Sequence, residues 1–141
     1  MKAITLYQPW ATLVAIGAKK IETRSWRTNY LGPLAIHASK TFPGWARALC
    51  REEPFRSELA KAGYTNIDDL PLGQVVAICK LYDCEEIKNA NVPRGKERYF
   101  GDYRRGRYMW ILRDLKRLEK PVPVRGHQGL WEWGWGGQDA D

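Results

Sequence analysis

The chain has 141 residues, 44% of them hydrophobic, with 23 Lys and Arg against 16 Asp and Glu for a formal charge of +7. That hydrophobic share excludes a disordered polymer, and the length suffices for one domain with its own core. No apolar stretch approaches the roughly 20 residues that cross a bilayer, and no signal-peptide pattern opens the chain, so a soluble, intracellular and cytoplasmic protein is expected, with no membrane partner.

A sequence pI near 9.5 points to polyanionic partners, nucleic acid foremost. Cys50, Cys79 and Cys84 include no CxxC pair, and His37 and His127 are the only histidines. No metal site and no other cofactor is therefore expected, and the cysteines read as buried free thiols.

In chain order, Lys2 to Leu6 reads as a short strand. Gln8 to Ile16 reads as a helix apolar all round, with Pro9 in its first turn and Gly17 just past its end, so it should be buried. Lys20 to Trp26 alternates as a strand: Ile21, Thr23 and Ser25 share one face, and Lys20, Glu22, Arg24 and Trp26 the other. Lys19 lies at the turn before it, where spacing does not fix its direction. The charged face suits either a polar cleft wall or a solvated sheet face with an ion pair.

Asn29 to Gly32 reads as a turn and Pro33 to Ser39 as a strand, with His37 on its less apolar face. Thr41 is placed to cap a second helix whose Phe42, Trp45, Ala46 and Leu49 follow the i, i+3, i+4, i+7 spacing of a core-facing stripe. A further helix is expected over Arg56 to Ala62. Gln74 to Asp83, apolar on both faces, reads as a central strand. Arg107 to Arg113 is another, and the prolines of Lys120 to Val124 exclude a central ladder position there. Leu130 to Trp135 closes the fold, with Trp131, Trp133 and Trp135 on a single face. Between the long strands, Arg94 to Tyr108 interleaves Arg98, Arg104 and Arg105 with tyrosines. That mixture suits an unpaired strand, or else a basic loop whose rings fold back on the core.

These elements predict an α+β fold, a small twisted β-barrel of about five to six strands with helices at its rim. One domain should cover residues 1–135, with 136–141 as a flexible tail.

The motifs Gln8-Pro9-Trp10-Ala11, Gly17-x-Lys19-x-x-Glu22-x-Arg24-Ser25-Trp26 and Gly32-Pro33-Leu34-x-Ile36-His37-Ala38 resemble the ASCH domain family of PUA-like barrels. Gly73 before the Val75-to-Asp83 strand and Gly129-Leu130-Trp131 near the end fit as well. The resemblance implies a PUA-like barrel and association with RNA, often through a cleft that cups a modified or flipped base. It also implies two possible activities: ribonuclease, and hydrolysis of N4-acetylcytidine by a lysine, a threonine and a glutamate. Lys19 matches that lysine, whereas Glu22 stands at the threonine's place.

Three functions follow as alternatives. A nucleic-acid-binding domain would take RNA, another single strand or a nucleoside, acting as a monomer. Its contacts would come from Gln8, Trp10, Lys19, Lys20, Arg24, Trp26, His37, Lys40, Arg98, Arg104 and Arg105, with Glu22 accepting from an exocyclic amine. A hydrolase would use Lys19 and Glu22 as catalytic residues. In a protein-interaction domain the same residues would be structural.

Overall fold

The computed structural model describes residues 1–134; Trp135 and the expected tail at 136–141 lie outside the described residues. Six strands form one mixed sheet that curls into a half-barrel. They are β1 (Lys2–Leu6), β2 (Ile21–Arg24), β3 (Gly32–Ala38), β4 (Gln74–Glu86), β5 (Tyr108–Pro123) and β6 (Leu130–Glu132). The spatial order is β2-β5-β4-β3-β1-β6. Among the described residues only the β1–β3 pair is parallel.

Curvature comes from the long β4–β5 ribbon, whose register shifts between Val75 and Ala77, Ile78 and Lys80, and Leu81 and Asp83. Each irregularity bends the strand and increases its twist. The expected barrel is therefore open: β2 and β6 stand at opposite edges of the sheet. Arg24 reaches across, its Nη2 donating to the Thr5 carbonyl of β1 at 3.1 Å.

Helix α1 (Trp10–Ala15) is buried on all sides because it has two apolar neighbours. Ala11, Val14 and Ala15 join the sheet core with Leu34, Ile36 and Trp110. Leu13 faces the other way, into a second cluster with Phe55, Leu59, Leu70 and Phe100. That cluster belongs largely to the helical layer of α2 (Gly44–Leu49) and α3 (Phe55–Lys61). At the end of α1 the amides of both Ala18 and Lys19 donate to the Leu13 carbonyl. Gly17 makes this turn at φ +82°, a conformation glycine adopts without steric cost.

Two local expectations change. Pro43, not Thr41, precedes α2, and no side chain caps that helix. Trp45 is 58% exposed instead of entering the core, because α2 is short and buries only Ala46. The proline-rich end of β5 does pair, with Val122 opposite Val75 and Pro123 opposite Gln74. It does so as a local edge, since β2 pairs with β5 only as far as Ile111, a place where a missing donor is tolerated.

The three cysteines are free; Cys50 and Cys79 are buried as expected, whereas Cys84 is only half-buried. Among the described residues no cluster of His, Cys, Asp or Glu could hold a metal, and no helix is long and apolar enough to cross a membrane.

Candidate nucleic-acid interface

One cleft of about 1840 Å³ opens between the end of β2, the start of α1, the α2–α3 layer and the loop after β5. Of the residues singled out from the sequence, Trp10, Glu22, Arg24, Trp26, His37 and Lys40 line it. The others lie elsewhere. Gln8 is wholly buried and structural: its Oε1 accepts from the Thr12 amide at 3.0 Å, and its Nε2 donates to Thr12 Oγ1 at 2.7 Å and to the Pro71 carbonyl at 2.9 Å. Lys20, Arg98 and Arg105 are exposed away from the cleft, and Arg104 is held by Asp102 at 2.5 Å.

The largest departure from expectation is Lys19, which is 1% exposed and sits behind the cleft, not at its mouth. Its Nζ donates to the carbonyls of Ile21 and of Phe100, the latter at 3.0 Å, and lies 3.5 Å from Glu22 Oε1. Burial lowers its pKa, while the carboxylates of Glu22 and Glu97 oppose that shift. Two carbonyls and a carboxylate can only accept, so they favour the ammonium form. Lys19 thus ties β2 to the 94–108 segment and holds Glu22 from behind.

Glu22 is held on its other side too, with Oε2 3.0 Å from Arg24 Nε, off the line of a hydrogen bond. The carboxylate is thus clamped between two cations and faces the cleft at 14% exposure. Beside it Trp26, 37% exposed, stands edge-on against the fully buried Trp110, with centroids 4.7 Å apart and planes at 89°. Trp110 Nε1 donates to the Trp26 carbonyl at 3.3 Å, fixing the backbone where β2 has ended. The site therefore offers a fixed acceptor and a supported ring side by side, an arrangement that can read an exocyclic amine while stacking its base.

The 94–108 segment forms a wall of the cleft through its inner part. Asp102 N donates to Thr23 Oγ1 at 3.0 Å, and Arg107 Nε donates to the Asp102 carbonyl at 3.1 Å. Glu97 accepts from the backbone amides of Lys20 at 2.8 Å and Ile21 at 3.3 Å. Its burial raises its pKa against those bonds. Sequence reasoning missed Glu97, Asp102 and Trp110 because each acts across a long sequence separation on a β2 position that spacing alone does not reveal.

His37 lines the opposite wall and is 1% exposed. Its Nε2 lies 2.7 Å from the Val124 carbonyl, so that nitrogen carries the proton, and Nδ1 accepts from Thr5 Oγ1 at 3.1 Å. Trp131 Nε1 in turn donates to Thr5 Oγ1 at 3.1 Å. The loop after β5 closes over this chain so tightly that a Cβ at Gly126 would stand 2.6 Å from His37 Cε1. His37 is thus a clasp between β1, β3 and that loop.

Burial lowers the pKa of His37, with the Val124 carbonyl opposing and the charge on His127 adding to the shift. The folded state therefore resists a proton that the unfolded chain accepts below about pH 6.5. Stability from His37 is complete above that pH and is lost as pH falls towards its lowered folded value. Urea midpoints measured from pH 7.5 to 5 should decline in wild type, and less in His37→Asn.

The family model of the ASCH domain matches residues 4–122. Activating signal cointegrator 1 from Homo sapiens is 25% identical over 132 residues, 92% of this chain, and the Mus musculus protein is 25% identical over 133 residues. The chain spans 22% of the length of these curated relatives. Two crystal structures of the ASCH protein from Zymomonas mobilis, one of them a mutant, superpose with TM-scores of 0.52 and 0.51 at 15% identity. Each covers 87% of this chain, and 75% and 73% of its own; at that identity the likeness speaks for the fold. The chain belongs to the ASCH domain family.

Proposed function

We propose that this domain binds single-stranded nucleic acid, RNA in the first place, by taking a base into the cleft against Trp26 and Glu22. The observation that carries this is the clamped Glu22 carboxylate, set in an open cleft next to an exposed indole. Glu22 accepts from the amino group of the base, and Trp26 stacks on its face. The basic composition and the RNA association of PUA-like relatives agree with such a ligand.

The charges near the cleft set the expected salt dependence. Arg24 is paired with Glu22, and Arg107 lies 3.5 Å from Asp102. Lys40 and Arg125 line the cleft outside any ion pair among the described residues. Two phosphate contacts on a single strand predict a log–log salt slope of about −1.4, shallower than the many arginines of the sequence suggest. Titration of a labelled single-stranded RNA between low and moderate salt measures it. No binding at low salt would sink the proposal, and a slope near −4 or steeper would move the contact to the exposed arginines of the 94–108 segment.

Hydrolysis of an acylated cytidine is the weaker reading. A lysine nucleophile needs a free, reachable amine, whereas Lys19 is enclosed by three acceptors behind the cleft.

A further inference from the structure

We infer that the cleft accommodates two bases of one strand, with Trp45 as a second stacking platform, so that the ligand is an oligonucleotide and not a free nucleoside. This rests on the nucleic-acid binding proposed above and extends it from the Glu22 end of the cleft to its helical wall.

Size is the first argument. Sites for single small molecules measure about 300–1,000 Å³, and this open cleft measures about 1840 Å³. One nucleoside leaves most of it empty.

The second argument is the placing of the rings. Trp26 stands on Trp110 on the β2 side. A separate group lines the same cleft from the helical side, where Trp45 meets Tyr7 with centroids 5.9 Å apart at 86° and Trp10 at 5.7 Å and 44°. Trp10 is itself set edge-on against the buried Phe55 at 6.2 Å. Trp45 is therefore braced by two rings while it remains 58% exposed. A solvent-facing indole adds little to folding, because its apolar surface stays in water. It is, however, what base stacking requires, since stacking tolerates any base.

The third argument is charge. Lys40, in the link between β3 and α2, lines the cleft without an ion pair among the described residues. A phosphate joining two stacked bases needs such a cation. On the same side Glu53 is neutralised by Arg56 at 3.3 Å, and Glu52 is an exposed lining residue. The helical wall is thus no phosphate track: it holds a base by stacking, and the phosphate sits with Lys40.

The experiment compares cytidine 5′-monophosphate with hexacytidylate, and uridine 5′-monophosphate with hexauridylate, on wild type, Trp45→Ala, Trp45→Phe and Trp26→Ala. Trp45→Ala should weaken hexanucleotide binding by about fivefold or more, change mononucleotide binding by less than about twofold, and recover partly in Trp45→Phe. Trp26→Ala should weaken both ligands. Equal loss of both ligands in Trp45→Ala would make Trp45 a structural brace and overturn the inference. Hexanucleotide binding untouched by Trp45→Ala would overturn it as well, leaving the binding function in place and the exposed indole to a protein partner. Absence of hexanucleotide binding to wild type would end both proposals.

Discussion

Lys19→Ala should unfold far more easily than wild type, losing about 3–5 kcal/mol. For a domain of this length that corresponds to a fall in melting temperature on the order of 10 °C or more. The reason is what the lysine leaves behind. The carbonyls of Ile21 and Phe100 lose a buried donor, and the Glu22 carboxylate keeps only Arg24. Removing one member of a buried charged network costs much more than an exposed pair contributes, because the remaining groups stay dehydrated and unmatched. Lys19→Met keeps the apolar stem and restores packing but not the donor, so it should fall between the two. Thermal and urea unfolding followed by circular dichroism check both. A Lys19→Ala protein as stable as wild type but unable to bind or turn over a ligand would instead make the lysine a site group, and would favour the hydrolase.

The second large effect is expected at Trp110, which is 0% exposed. Trp110→Ala opens a cavity beneath Trp26 and should cost about 3–5 kcal/mol. Trp110→Phe is the more informative variant. It keeps a ring under Trp26 but removes the indole N–H that donates to the Trp26 carbonyl. Its stability loss should be about 2 kcal/mol, one hydrogen bond plus a small void. Binding to single-stranded RNA should nevertheless drop severalfold, because Trp26 lies beyond the end of β2 and depends on that anchor. Wild-type affinity in a folded Trp110→Phe protein would separate Trp26 from recognition.

Much of the framework is legible in the sequence. Alternation placed Glu22 and Arg24 on one face of β2, and Pro9 and Gly17 bracketed the buried α1. The apolar run from Gln74 marked a strand that does lie inside the sheet, between β3 and β5. Each of these follows from side-chain period or local backbone preference, which act over a few residues.

What was not legible depends on partners far along the chain. The direction of Lys19 is decided by the Phe100 carbonyl, 81 residues away, so no local pattern could bury it. Trp45 has the spacing of a core residue, but period names a face and not whether anything packs against it. With a short α2, that face meets Tyr7 and Trp10 at the cleft rim. The basic run from Arg94 to Tyr108 looked like one surface. It divides into an inner part bound to β2 through Phe100 and Asp102 and an outer part carrying Arg98 and Arg105. Gly126 admits the loop over His37 only because it has no Cβ.

Mapping the bound strand by NMR separates recognition in the cleft from binding on the basic loop. With single-stranded RNA added to the labelled protein, the indole N–H signal of Trp26 and the backbone amides of Glu22 to Trp26 should shift as binding saturates, and those around Lys40 should follow. Shifts confined to Lys20 and to Arg98 through Arg105, with Trp26 unmoved, would place the nucleic acid on the exposed basic loop and contradict recognition in the cleft.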